Sequence, residues 1–124
     1  ISFKAKSEET AREMINAFGL SGLEQRHPQS LSEGQKRRAS IAAVCASEPT
    51  VLFLDEPTVG QDYENLCKTV ETINKINKNH GTAIVTVTHD IRCAGALADK
   101  VLIMENGKIS RQGDYRLADE FLDK

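Results

Sequence analysis

The chain of 124 residues has the length of one domain, or of part of one, and can bury a modest core. Its formal net charge of −2 gives no electrostatic reason to expect a nucleic-acid partner, and we expect none. Three widely spaced cysteines fit reduced thiols better than a disulfide framework or a zinc site, and the longest apolar run is too short to span a bilayer.

The first part of the chain predicts two helices. Ser7 is a good N-cap for the first helix, and Gly19 is typical of a helix end. The second helix begins at Ser32 and runs to about Ser47. Apolar residues of the first helix recur at helical spacing, which predicts a buried face made of Ala11, Met14, Ile15 and Phe18.

Two apolar runs then predict strands. The stretch "VLFLD", Val51–Asp55, is continuous and ends in an acid, as expected of a strand buried on both faces. A long amphipathic helix follows with Gly81 as its C-cap, and "AIVTVTH" over 83–89 predicts a second buried strand. A short helix is expected after Asp90. Helices followed by strand, helix and strand, with polar residues at the strand ends, indicate an α/β domain with a parallel core.

The end of the chain predicts a hairpin and a last helix. Asn106 and Gly107 separate two strand-like runs, which is a strong signal for a type I′ turn. Asp114 is placed to cap a final helix, and the expected apolar members of that helix are Tyr115, Leu117, Phe121 and Leu122.

Two carboxylates follow directly from the first predicted strand. Asp55 and Glu56 lie at the carboxyl edge of the sheet, where α/β folds bind ligands. Side chains of adjacent strand residues diverge, so Asp55 can hold Mg²⁺ while Glu56 acts as a general base. A strand that ends in a solvated acidic turn explains this stretch equally well.

The stretch "LSEGQKRR", residues 31–38, is a second candidate site. Ser32 and Gln35 form a capping box, and Gly34 leaves the backbone open to close approach, so the free N–H groups make an anion site. The three cations at 36–38 oppose the helix dipole unless an anion lies nearby. Taken alone, a capped helix with a solvated basic turn is the simpler explanation.

These stretches occur in order and close together. The run "LSEGQKRRASIAAVCASEPTVLFLDEPTVGQD" resembles the signature helix, Walker B strand and D-loop of ATP-binding cassette (ABC) ATPases, and "VTVTHD" stands where that family has its switch histidine. The resemblance implies a partial P-loop NTPase (RecA-like) core with parallel strands, part of the ABC helical subdomain, and a C-terminal β-hairpin and helix. The implied divisions are the helical subdomain with the signature helix at 1–48, the later part of the core at 49–113, and a terminal helix at 114–124.

In that family two ATPase domains sandwich two ATP molecules head to tail, and this implies a role for each site residue. Asp62 in the D-loop couples the two sites. Asp55 serves Mg²⁺, Glu56 is the catalytic base, and His89 contacts the γ-phosphate and the attacking water. The signature residues that contact the nucleotide of the partner subunit are Ser32, Gly34 and Gln35.

Two positions depart from the usual family pattern. Glu33 stands where glycine is usual and adds a negative charge, and the D-loop reads "TVGQD" where "TxGLD" is commoner. With "LSEGQKRR", this D-loop resembles those of the energy-coupling-factor and cobalt-type importer ATPases. The P-loop pattern G-x-x-x-x-G-K-[ST] does not occur in the 124 residues, so we expect the C-terminal portion of such a domain, inactive by itself.

The resemblance implies the ATP-hydrolysing subunit of a membrane transporter, which uses ATP and Mg²⁺ and dimerises with nucleotide. The expected partners are a second ATPase subunit and a transmembrane transporter subunit, at the cytoplasmic face of the cell membrane. One alternative is the head of a soluble DNA-repair or chromosome-maintenance ATPase, although such heads read Glu where this chain has Gln35 and are followed by long coiled coils. The other alternative is a non-catalytic interaction fragment that retains the fold.

Overall fold

The computed structural model describes residues 7–121, and the chain divides after Val87 into two compact units. The first unit contains the elements α1 (Glu8–Ala17), a 3₁₀ turn (Pro28–Ser30), α2 (Glu33–Cys45), β1 (Val51–Asp55), α3 (Tyr63–His80) and β2 (Ala83–Val87). The second contains α4 (Ile91–Leu97), β3 (Val101–Glu105), β4 (Lys108–Gly113) and α5 (Arg116–Asp119).

Local sequence signals account for the helix ends of the first unit. The Ser7 side chain accepts a hydrogen bond from the backbone N–H of Thr10, which caps α1 as predicted. Gly81 closes α3 in the left-handed conformation, with φ +66°, a region that glycine enters without steric cost. Ser32 is the N-cap of α2, and the helix ends two residues before the predicted limit.

The strands β1 and β2 form a parallel pair in which Val51 lies opposite Ala83 and Asp55 lies opposite Val87. The long helix α3 connects them. One further bond extends the pair, because the Glu56 N–H donates to the Val87 carbonyl at 2.8 Å. The predicted parallel α/β core is therefore confirmed, and its carboxyl edge carries the two acids.

The prediction that β1 is buried on both faces is wrong for the described residues. Burial alternates along the strand, with Leu52 and Leu54 buried while Phe53 is 74% exposed. The reason is that α2 packs against β1 and, in the described part of the chain, no element covers the opposite face. The buried apolar core of the first unit is formed by Met14, Ile15, Phe18, Leu20, Leu31, Ile41, Ala42, Cys45, Ala46, Leu52, Leu54, Val70, Ile73 and Ile76.

The second unit is a short helix, an antiparallel hairpin and one final helical turn. Asn106 and Gly107 both have positive φ, 51° and 76°, as the predicted type I′ turn requires. The final helix is shorter than predicted: α5 ends at Asp119, Phe121 follows it and packs on the small core of this unit, and Leu122 lies outside the described residues. Among residues 7–121, no helix is both long and apolar enough to cross a bilayer.

Candidate functional site

The start of α2 forms the first wall of a cavity in the first unit. The Ser32 hydroxyl accepts from the Gln35 N–H at 3.1 Å, and the Gln35 side chain accepts from the Ser32 N–H at 3.0 Å. This reciprocal pair is the predicted capping box, and it fixes the backbone at the positive end of the helix dipole.

The loop that joins β1 to α3 forms the opposite wall. A cavity of about 290 Å³ is lined by Ser32, Glu33, Gly34, Gln35 and Arg38 on one side and by Gly60, Gln61, Asp62 and Asn65 on the other. At Gly34, a Cβ atom would lie 3.6 Å from the Gly60 carbonyl oxygen, so the two walls touch where the side chain is smallest. The structure thus brings together four predicted site residues, Ser32, Gly34, Gln35 and Asp62.

Asp62 is both a wall of this cavity and the N-cap of α3. Its carboxylate accepts from the Asn65 backbone N–H and from the Asn65 side-chain amide, both at 2.9 Å. These hydrogen bonds, with a smaller contribution from the positive charges of Arg38 and Lys68, lower the pKa of Asp62 below its ordinary value. Asp62 therefore stays ionised at neutral pH.

The basic run at 36–38 has partners within the chain. Lys36 pairs with Glu33 at 3.0 Å, Arg37 donates to the Glu56 carbonyl, and Arg38 donates through Nε to the Phe18 carbonyl at 3.0 Å. The sequence analysis explains these three cations by a nearby anion. In the structure, each of them also has a partner within the chain. Arg38 is only 7% exposed, so its charge lies beneath the cavity floor.

Asp55 and Glu56 do not line this first cavity. Asp55 is exposed and lines a second cavity, of about 350 Å³, together with Lys36 and Arg37. Glu56 has φ +48°, a left-handed conformation that is rare for a residue with a side chain. Its N–H donates to the Val87 carbonyl and its own carbonyl accepts from Arg37, so the surrounding structure holds Glu56 in this strained conformation. Strained backbone conformations of this type cluster at functional sites.

His89 lies in the second unit, two residues after the end of β2, and is exposed. Its neighbours in the chain are fixed by local bonds: the Asp90 N–H donates to the Thr88 hydroxyl at 2.9 Å. Asp90 in turn caps α4 by accepting from the backbone of Arg92 and Cys93. Although burial acts to raise the pKa of Asp90, the hydrogen bonds from these two residues hold it below its ordinary value.

The residues that sequence reasoning missed are the ones that hold the loop at 56–62. The sequence identifies Gln61 only as a departure from the family pattern, and Arg37 and Arg38 only as charges. The partners of the two arginines are 19 to 23 residues away in the chain, so no local pattern indicates them. The one available signal was Gln61 itself, a polar residue at a position where the family commonly has Leu.

Comparisons with known proteins show which family the chain resembles. A family model described as ABC transporter matches residues 2–59. The chain is 39% identical over 110 residues to the energy-coupling factor transporter ATP-binding protein EcfA of Methanocaldococcus jannaschii, with 89% of this chain and 39% of that protein covered.

Two solved structures have the same fold. One is cbiO1 from Clostridium perfringens, part of the ABC transporter complex cbiONQ, with a TM-score of 0.79 and 30% identity over 93% of this chain and 46% of that one. The other is a dimeric post-hydrolysis state of the ATP-binding cassette MJ0796 bound to ADP and Pi, with a TM-score of 0.78 and 30% identity over 90% of this chain and 50% of that one.

These matches confirm the predicted resemblance to ATP-binding proteins of the ABC transporter family. It spans between 17% and 43% of the length of the curated relatives it matches. The relatives and structures named here are all transporter ATP-binding proteins or cassettes, and they give no support to the DNA-repair alternative.

Proposed function

We propose that this chain provides two separate half-sites of an ABC transporter ATPase, which powers transport by closing around ATP as a dimer. The observation that carries the proposal is that one chain presents the predicted site residues on two different cavities. Ser32, Gly34, Gln35 and Asp62 line one cavity, and Asp55 lines the other. A head-to-tail dimer needs this arrangement, because each nucleotide is then contacted by opposite surfaces of two subunits.

The first half-site suits the terminal phosphate of a nucleotide held by the partner subunit. Free N–H groups at the start of α2 and the positive end of the helix dipole attract an anion, and Gly34 lets it approach the backbone. The buried Arg38 adds a positive charge beneath the same cavity. Asp62 has the opposite sign, so its proposed role is coupling across the dimer and not phosphate binding.

The second half-site suits hydrolysis of a nucleotide bound by the same subunit. Among the described residues, no cluster of three or more histidine, cysteine or acidic side chains forms a metal site. Magnesium does not need one, because it is commonly held by one or two carboxylates together with substrate phosphates and water. Asp55 fits that requirement, and the bound ion would neutralise phosphate charge during the reaction.

Glu56 is the proposed general base. Backbone bonds on both sides hold its main chain at the end of β1, and the role assigned to its carboxylate is to polarise an attacking water. That His89 contacts the γ-phosphate and the attacking water stays a prediction from the sequence. The proposed partners are a second ATPase subunit and a transmembrane subunit, at the cytoplasmic face of the membrane.

The transport class remains a proposal. Similarity to EcfA supports a transporter of the energy-coupling-factor type, which is one of the types that the signature helix and D-loop predict. The predicted divisions at 1–48, 49–113 and 114–124 also stay a prediction.

The test is ATP-driven dimerisation of the intact protein, measured by light scattering in a Glu56→Gln background that slows hydrolysis. Ser32→Arg places a bulky side chain where a phosphate must approach the helix amides, so we expect dimerisation to be lost while the monomer stays folded. The matched control is Ser47→Arg, which changes an exposed serine just after α2, outside both cavities. Dimerisation that survives Ser32→Arg would mean that the capping box is only structural.

A further inference from the structure

One side chain holds the loop between β1 and α3. The Gln61 amide oxygen accepts from the Thr69 hydroxyl at 2.8 Å and from Arg38 Nη1 at 3.4 Å. Its amide nitrogen donates to the Pro57 carbonyl at 3.0 Å. Gln61 therefore ties the start of the loop to α3 and to α2, through both its donor and its acceptor.

At the start of this loop, the Glu56 N–H donates to Val87 and the Glu56 carbonyl accepts from Arg37. After Glu56 the loop has few strong hydrogen bonds of its own. Its own backbone hydrogen bonds, from Val59 to Glu56 and from Gln61 to Thr58, are both 3.4 Å long, beyond the usual range for N–H···O bonds. The Gln61 partners are shielded from water instead, since Thr69 is 0% exposed and Arg38 is 7% exposed. A hydrogen bond between shielded groups is costly to lose, because the abandoned partner finds no water to replace it.

We propose that Gln61 is a positioning residue that clamps the D-loop against the signature helix. A Cβ atom placed on Gly34 would lie 3.5 Å from the Gln61 Cγ, so the clamp lies where the two walls of the cavity meet. Asp62 follows it directly in the chain, and the clamp thereby fixes Asp62 relative to Ser32. The ligand of this cavity depends on the proposed function, whereas the positioning role of Gln61 does not.

Three variants of the intact protein separate the parts of this clamp. Gln61→Leu removes every bond and leaves the buried Thr69 hydroxyl without its acceptor. Combining it with Thr69→Val removes that orphaned hydroxyl, and replacing both partners by apolar groups is close to neutral for stability. Gln61→Glu keeps an acceptor for Thr69 and Arg38 but cannot donate to Pro57.

The first measurement is hydrogen exchange of the amides at 58–62, which requires no nucleotide. We expect Gln61→Leu to speed their exchange by about 5- to 30-fold, the change that corresponds to losing one or two net hydrogen bonds. Gln61→Glu should speed exchange at the start of the loop and less at its end. The matched control, Gln25→Leu, alters an exposed glutamine in a turn and should change nothing at 58–62. Unchanged exchange in Gln61→Leu would overturn the clamp.

The second measurement distinguishes positioning from stability. The double variant Gln61→Leu/Thr69→Val should regain the part of the melting temperature that the unpaired Thr69 hydroxyl costs, while Arg38 and the Pro57 carbonyl still lack Gln61. Its apparent affinity in nucleotide-driven dimerisation should still be weaker by about 5- to 30-fold, because the walls remain unclamped, with nucleotide binding to the monomer unchanged. Wild-type dimerisation in the double variant would overturn the positioning role. If the wild-type protein does not dimerise with ATP, the proposed function fails, and the exchange data still decide the clamp.

Discussion

Replacement of Glu56 by Gln isolates the chemical role of one carboxylate. The backbone bonds of this residue, to Val87, Arg37 and Val59, use main-chain atoms of Glu56 and survive the change. The left-handed φ of +48° costs about 1–2 kcal/mol for any residue with a Cβ, so this strain is the same for Glu and Gln and cancels. The free energy of unfolding should therefore change by no more than about 0.5 kcal/mol.

Hydrolysis should respond differently. Removing a general base lowers kcat by roughly 10²–10⁴-fold, or about 3–5 kcal/mol in the activation barrier, while ATP binding is retained. Phosphate release by the intact protein measures the first quantity, and nucleotide titration measures the second.

A matched control for this variant lies in the same unit. Glu48 also has a positive φ, 50°, but it lies before β1 and not at the carboxyl end of that strand, so Glu48→Gln should leave both turnover and ATP binding unchanged. Near-normal turnover in Glu56→Gln would refute the assignment and make His89 the next candidate base. Equal losses of phosphate release in Glu56→Gln and Glu48→Gln would mean that the assay reports a change in backbone conformation and not the loss of a general base.

Three further outcomes are expected. Asp62→Asn should keep the cap of α3 and the melting temperature at neutral pH, since Asn caps as well as Asp. The variant should lose less stability on acidification than the wild type. The reason is that the lowered pKa of Asp62 contributes stability that is present above the ordinary value of 3.8 and is lost as the pH falls through the lower folded-state pKa. Melting curves between neutral and acid pH measure this difference. Burial raises the pKa of the Cys45 thiol to about 11, so a thiol-labelling time course at pH 8 should modify the half-buried Cys67 first. The 124 residues alone should release no phosphate from Mg-ATP and bind it weakly in calorimetry, because they contain no P-loop pattern.

Local chemistry explains which parts of the fold could be predicted. The caps at Ser7 and Ser32, the glycine at the end of α3 and the Asn106–Gly107 turn each depend on residues within four positions of one another. The acids at the end of β1 were also predictable, because strand direction decides where they emerge.

The remaining features depend on contacts that a single sequence does not reveal. The apolar sequence of β1 predicts burial on both faces. Phe53 is nevertheless 74% exposed, because the burial of a strand face depends on what packs against it and not on the strand itself. The bonds from Arg37 to Glu56 and from Arg38 to Gln61 join residues 19 and 23 positions apart. A cation with such a distant partner has the same local sequence as a solvated one, so the clamp around Gln61 required the structure.

The central claim is that Ser32 and Glu56 of one chain act on different nucleotides, and mixed dimers test it directly. Because Ser32→Arg is expected to block dimerisation, the signature variant in this test is Ser32→Ala, which removes the hydroxyl without adding bulk. Two intact copies with different affinity tags, one carrying Ser32→Ala and the other Glu56→Gln, are purified together as a mixed dimer. One nucleotide site then carries both defects and the other carries neither. We expect about half of the wild-type phosphate release, although each variant alone is impaired at both sites, because one of the two symmetric sites is intact. A mixed dimer as inactive as its parents would place both residues at the same nucleotide and contradict the head-to-tail arrangement.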